Sequence, residues 1–203
     1  MSASPGPAAS PPYLEWSARS EMQARRWYAQ KLLSLLPAGA RVLELGSGAG
    51  FPVTHLLAHR FGVTAVEPAS REIALARVNV PAAEFREGDW TRLRQPAEGF
   101  DAVVAMYVLS VLARRALLPQ LRRISRWLRP RGLLIGNRHV ALDSPIEQAW
   151  PGAPVFFTHV DAGEVLATLG RAGLEPLESE VISDEDARGR PISFLWFIAR
   201  KLG

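Results

Sequence analysis

Residues 41–67, RVLELGSGAGFPVTHLLAHRFGVTAVE, constrain what this chain can fold into more than any other stretch. Residues 42–45 are apolar except for Glu44, and Gly46, Gly48 and Gly50 follow at once. Val53, Leu56 and Leu57 then recur at helical spacing, Gly62 ends that pattern, and a second apolar run closes on Glu67. Strand, glycine turn, helix and strand in this order read as a βαβ unit, because two parallel strands need a crossover between them. Glycine suits the turn for two reasons. It enters the left-handed region without penalty, and its missing Cβ lets a ligand lie against the main chain.

The spacing of the glycines bears on the ligand. A dinucleotide turn, G-x-G-x-x-G, starting at Gly46 needs a small residue at position 51, where this chain has Phe51. The pattern present is E-x-G-x-G-x-G, starting at Glu44. It resembles motif I of the class I S-adenosylmethionine-dependent methyltransferases. That resemblance implies an α/β fold: a Rossmann-like, doubly wound seven-stranded sheet, mostly parallel, with a C-terminal antiparallel hairpin. It also implies S-adenosyl-L-methionine as cofactor. In that family an acid ending the second strand holds the ribose hydroxyls, and Glu67, followed by Pro68, stands in that place. A carboxylate accepts from two vicinal hydroxyls at once, so the position calls for an acid. An acid after the third strand receives the adenine amino group while an apolar neighbour packs on the ring, and Asp89 and Trp90 are similar to that pair. Glu44, Gly46, Ser47, Gly48 and Gly50, with Ala105 and Met106 at the end of the fourth strand, complete the implied cofactor set.

At 203 residues the chain fits one domain that buries roughly 70% of its unfolded surface. Residues 1–12, rich in Pro, Ala and Ser, are expected to form a disordered tail, and 13–203 a single domain. The chain has no cysteine, which removes disulfides and thiolate metal sites, and no tight His/carboxylate cluster suggests a metal. The N-terminus lacks a basic start and an apolar stretch, and no run of ~18 apolar residues exists, so a cytoplasmic location with no membrane partner is expected. The net charge of +4 is carried almost wholly by arginine and fits solvated helix faces; a nucleic-acid partner is not expected, and the oligomeric state is left open.

Along the chain, 14–36 reads as a helix carrying Trp16, Trp27 and several leucines, ended by Pro37 and Gly39. Its place before the first strand is similar to the helix with which these methyltransferases cover the cofactor, so Tyr13 and Trp16 become candidate substrate contacts. Helices are expected from Ser70, as a cap, to 80, and over 117–128, the latter with Arg122, Arg123, Arg126 and Arg129 on its polar side. Short strands are expected at 83–86, 100–106 and 133–136. Asp101 reads as structural. Members that act on nucleobases or glutamine carry N/D-P-P-Y after the fourth strand; here the chain has Ala105, Met106, Tyr107 and Val108, which disfavours that chemistry. Residues 128–132 are similar to the family's L-x-P-G-G turn, with Arg131 in place of its first glycine. Asp161 and Glu164 are spaced as a capping box opening a last helix, and strands at 174–182 and 192–200 form the closing hairpin.

Residues 137–160 are irregular and follow the carboxyl end of a strand, where a substrate-binding insertion belongs. Methyl transfer from a sulfonium needs alignment and exclusion of water more than a fixed set of catalytic groups. A base helps when the acceptor carries a proton, which makes His159 and His139 the candidate catalytic residues. Tyr13, Trp16, Tyr107, Asn137, Trp150 and Phe157 are the candidate substrate residues. The expected activity is methyl transfer to a small-molecule O, N or C nucleophile. The alternatives are an RNA or protein methyltransferase, a nicotinamide-dependent oxidoreductase, and a cofactor-binding protein without catalysis.

Overall fold

The computed structural model describes residues 22–140, 160–185 and 191–203, together with two short strands, β6 (Gln148–Ala149) and β7 (Phe156–Phe157). Helix α1 (Met22–Leu35) leads into β1 (Arg41–Leu45), α2 (Val53–Ala58), β2 (Gly62–Glu67), α3 (Ser70–Asn79) and β3 (Glu84–Glu87). A single 3-10 turn (Trp90–Arg92) precedes β4 (Phe100–Ala105), α4 (Arg114–Trp127) and β5 (Leu128–Val140), and the chain closes with α5 (Ala162–Arg171), β8 (Leu174–Glu185) and β9 (Pro191–Lys201).

Seven strands form one sheet in the order β3-β2-β1-β4-β5-β9-β8. β1 to β5 pair in parallel, while β9 is antiparallel to both β5 and β8. The sheet is therefore the mixed, doubly wound one expected. Strand order reverses between β1 and β4, and in open sheets of this kind the crevice beyond the carboxyl ends of those two strands receives ligands.

Alternation along each strand explains the layers. Val42, Val63, Ala65, Ala102, Val104 and Ile135 point to one face, where Tyr28 and Leu32 of α1, Leu57 of α2 and Ile73 of α3 close over them. Leu43, Leu45, Val103 and Leu134 point to the other, under Leu121 and Ile124 of α4 and Val165 and Leu169 of α5. Each such leucine, fully withdrawn from water, contributes roughly 1.5–3 kcal/mol.

Four boundaries differ from the sequence reading. Of the helix expected over 14–36, the described part is α1, and 14–21 lie outside the described residues. Ser70 is the first residue inside α3 rather than its cap; Ala69 holds the cap position and Ser70 Oγ instead donates to Glu87. Helix α4 begins at Arg114, three residues earlier than expected. Most consequential, β5 continues to Val140, so 137–140 belong to the sheet and not to an insertion. Asn137, Arg138 and His139 are polar yet buried, and the Asn137 and Arg138 side chains and the His139 main-chain amide each bond to the loop after β4.

Candidate active site at the carboxyl ends of β1, β2, β4 and β5

The turn after β1 holds three left-handed glycines, with φ of +75° at Gly46, +53° at Gly48 and +88° at Gly50. Their surroundings differ. A Cβ on Gly46 would lie 2.3 Å from Val108 Cγ1 and one on Gly50 would lie 3.0 Å from Val80 Cγ2, whereas one on Gly48 would meet nothing within 4 Å. Two of the glycines thus permit packing, and the third leaves bare backbone facing open space. The Gly46 amide donates to Val66 O at 2.7 Å, and Asn79 Nδ2 of α3 donates to Ala49 O at 2.8 Å, so the turn is tied to β2 and α3.

Glu67 ends β2 beneath this turn. One carboxylate oxygen accepts from the Gly48 amide and the other from the Ala69 amide, each at 3.0 Å. Burial raises its pKa, and those two amide bonds pull it back. Two oxygens offer about four acceptor sites, so two remain for vicinal hydroxyls. Glu44 is more deeply enclosed. Thr54 Oγ1 donates to it at 2.6 Å, and burial pushes its pKa up to about 7, against the opposing pull of that bond and of Arg25. Asp89 is exposed and caps the 3-10 turn, accepting from both the amide and the hydroxyl of Thr91, with Arg92 at 3.6 Å. Trp90 beside it is buried among the apolar residues under α4. Pro68 is exposed, Ser47 and Ala105 are buried, and Met106 joins the core on the α1 side.

Beyond β4 the backbone is strained. Tyr107 adopts φ +66°, a left-handed conformation that costs an ordinary residue about 1–2 kcal/mol. Three consecutive residues of β5 hold this loop. Asn137 Oδ1 accepts from the Tyr107 amide at 2.5 Å, the Arg138 guanidinium donates to Leu109 O and Leu112 O, and the His139 amide donates to Ser110 Oγ at 2.9 Å. Burial lowers the Arg138 pKa to about 10. The Tyr107 ring meets Phe194 and Trp196 edge-on at 5.1 and 5.5 Å, His139 meets Phe194 at 5.5 Å, and Tyr28 stacks on Trp196 at 4.8 Å. The Arg25 guanidinium lies 4.4 Å above the Tyr107 ring. Three donors in this group, Arg25 Nε, Asn137 Nδ2 and Arg138 Nε, are buried with no hydrogen-bond partner among the described residues.

The structure therefore gathers Glu44, Gly46, Ser47, Gly48, Gly50, Glu67 and Pro68 around one turn, and Ala105, Met106, Tyr107, Asn137 and His139 around the next strand ends. The expectation that His139 overhangs the sheet from a loop is corrected: it stands in β5, 6% exposed, against Phe194. Tyr13, Trp16, Trp150 and His159 lie outside the described residues, and Phe157 is placed only as main chain, paired with Gln148. Sequence reasoning missed Arg25, Thr54, Asn79 and Arg138. Thr54, ten residues beyond Glu44, was within reach, since it follows the turn on α2; the other three act across distances that no local pattern reports.

A doubly wound sheet with uncovered backbone at Gly48 and an acid closing β2 defines an α/β protein with a ligand cradle at its switch point. Residues 42–132 match a family described as a methyltransferase domain. Over 180 residues the chain is 30% identical to the ubiquinone biosynthesis O-methyltransferase of Azorhizobium caulinodans, covering 81% of this chain and 70% of that one. It is 40% identical over 80 residues to the phosphatidylethanolamine N-methyltransferase of Cereibacter sphaeroides, a match that takes in 36% of this chain and spans only 39% of that protein. Among solved structures, the 1,6-didemethyltoxoflavin-N1-methyltransferase of Burkholderia thailandensis, crystallised with its acceptor and S-adenosylhomocysteine, superposes with a TM-score of 0.76 at 21% identity, over 93% of this chain and 81% of that one. The chain belongs to the S-adenosylmethionine-dependent methyltransferase family.

Proposed function

We propose that this protein transfers a methyl group from S-adenosylmethionine to a small-molecule acceptor seated at the carboxyl ends of β4 and β5. The observation that carries this reading is the pairing of a bare-backbone turn over Glu67 with an aromatic wall one strand further on. S-adenosylmethionine supplies a methyl carbon on a positively charged sulfur and leaves as the neutral thioether. Glu67 holds the ribose hydroxyls through its remaining acceptor sites, Asp89 receives the adenine amine, and Gly46 to Gly50 give the main chain close approach. Glu44, with Arg25 and Thr54, sets the charge where the amino-acid end of the donor lies.

On the acceptor side, Tyr107, Phe194 and Trp196 favour a ring-bearing or apolar molecule, and Asn137 Nδ2 offers a buried donor to fix its polar group. His139, against Phe194, takes the acceptor's proton where one must leave; His159 is the second candidate for that role, and Tyr13, Trp16, Trp150 and Phe157 are candidates for the outer part of the acceptor site. The names of the two relatives, one an O- and one an N-methyltransferase, support an O or N nucleophile. No helix among the described residues is long and apolar enough to cross a membrane, and we place the reaction in the cytoplasm.

The test is formation of S-adenosylhomocysteine with a panel of phenolic, amine and carboxylate acceptors. His139→Ala should lower kcat at neutral pH at least tenfold, leave S-adenosylhomocysteine affinity within twofold, and recover toward wild type at higher pH. An unchanged pH profile would return His139 to a purely structural place. Turnover only on RNA or protein, with affinity falling steeply in salt, would refute the small-molecule acceptor.

A further inference from the structure

The basic face of α4 is not absorbed by the methyl-transfer site. Between α4 and the 91–97 loop lies a cavity of about 560 Å³, lined by Arg92, Arg94, Gln95, Arg123, Arg126 and Trp127 among others. Its loop follows Asp89 and Trp90 in the chain, and no residue of the glycine turn lines it. Arg123 is half-buried and structural: its guanidinium donates to Thr91 O, Leu93 O and Gln120 Oε1, which clamps the loop onto α4. None of those partners is an anion. Burial, and the neighbouring charges of Arg126 and Arg94, lower its pKa, while Asp89 opposes them.

Of the other arginines in the lining, Arg92 pairs with Asp89 at 3.6 Å and two are uncompensated. Arg94 and Arg126 are exposed and form no ion pair among the described residues. The two carboxylates closest in sequence are occupied, Asp89 by Thr91 and Arg92 and Glu98 by Lys201 at 3.4 Å. Gln95 lines the same cavity, and its Nε2 is buried with no acceptor among the described residues. Two unpaired guanidinium groups, Arg94 and Arg126, beside the clamped Arg123 and the Asp89-paired Arg92, leave this concavity short of a multiply charged oxyanion. Guanidinium forks match phosphoryl oxygens in pairs, which an ordinary monovalent counterion cannot do.

We propose that this cavity is a second ligand site, separate from the donor cleft, that takes a phosphate-bearing ligand, with Arg94 and Arg126 receiving the phosphoryl oxygens and Gln95 Nε2 donating to them. Arg123 is the positioning residue: it holds the loop that carries Arg92, Arg94 and Gln95. The chemistry is shared by a soluble phosphorylated metabolite and a phospholipid headgroup, and the volume accommodates either.

The experiment measures binding to the full chain by calorimetry with inorganic pyrophosphate, and by co-sedimentation with phosphatidylglycerol vesicles against phosphatidylcholine vesicles, in wild type and in R94Q/R126Q. Both positions are exposed, so the double variant should fold, which its unchanged affinity for S-adenosylhomocysteine will verify. One pyrophosphate bound per chain, weakened at least tenfold in R94Q/R126Q, supports the proposal with a soluble ligand. Binding confined to phosphatidylglycerol vesicles and lost in the same variant supports it with a headgroup. Absence of both, or binding that R94Q/R126Q leaves intact, overturns it. So does tight binding of single-stranded RNA without saturable pyrophosphate binding, since that would make the face a nucleic-acid surface rather than a phosphate pocket.

Discussion

The two halves of the cleft are built by different means. The donor half, between β1 and β2, is made of main chain and of contacts close in sequence: Glu67 accepts from amides 19 and two residues away, and Thr54 reaches Glu44 across ten. The acceptor half, between β4, β5 and β9, is made of side chains that meet across 26 to 30 residues of chain, as Asn137, Arg138 and His139 grip the loop after Tyr107. A ligand common to a whole family is read by backbone, which changes little. One particular to each member is read by side chains that tertiary packing brings together.

If the donor turn is a backbone device, its glycines must fail in different ways. Gly46→Ala brings a Cβ to 2.3 Å from Val108 Cγ1 in a left-handed residue, and should destabilise the fold by about 4 kcal/mol, read by chemical denaturation. Gly48→Ala meets nothing and should cost only about 1 kcal/mol of stability, yet sharply weaken S-adenosylhomocysteine binding, with Gly48→Val weaker still. Equal stability losses in the two alanine variants would erase the distinction between packing glycine and cradle glycine.

The two acids sharpen the same contrast. Glu44 is buried and its pKa in the fold stands near 7, above the ordinary 4.5. A carboxyl with a raised folded pKa binds its proton more tightly in the native state, so its contribution to stability is full below about pH 4.5 and is lost as pH rises through 7. The loss is of order 3 kcal/mol, and Glu44→Gln should flatten that part of the stability-versus-pH curve. Glu67→Ala should instead act on the ligand: S-adenosylhomocysteine affinity about 100-fold lower, through loss of charge-assisted bonds to two hydroxyls, with much less change in its pH dependence. Wild-type affinity in that variant would remove the assigned cradle.

What the sequence made legible follows this division. The E-x-G-x-G-x-G spacing and the acid closing β2 gave the donor half, because strand, turn and helix repeat over a few residues and the left-handed backbone demands glycine. Phe51 told against a dinucleotide, and in the fold the turn's third glycine is Gly50, packed on Val80. The polar run Asn137-Arg138-His139 has the pattern of a loop, although it is strand. Periodicity sees polarity but not the partners that satisfy it, and here Tyr107, Leu109 and Leu112 bond the Asn137 and Arg138 side chains, while Ser110 ties down the His139 main chain. Trp90 shows a related limit, since the residue assigned to the adenine ring is also enclosed in the core beneath α4.

Arg131 offers the smallest and cleanest perturbation. The stretch 128–132, at the irregular start of β5, is similar to a turn that carries glycine here, yet Arg131 adopts φ +64°, so the backbone keeps the shape that glycine favours and the arginine accepts the strain. Its neighbour Gly132 explains why the turn cannot relax: a Cβ there would lie 2.9 Å from Arg129 O and 3.1 Å from Asp101 O, the chain being pinned by the Arg129–Asp101 ion pair at 2.6 Å and the Asp101 bond to the Arg41 amide at 2.7 Å. Arg131→Gly should therefore stabilise the protein by about 1 kcal/mol, the left-handed penalty outweighing glycine's extra freedom in the unfolded chain. The measurement is the denaturation midpoint at constant slope. Because Arg131 is exposed and lies at the amino end of β5, opposite the carboxyl ends that form the site, donor affinity and turnover should stay at wild-type values. A variant less stable than wild type would mean that the arginine side chain holds this turn by contacts worth more than the strain.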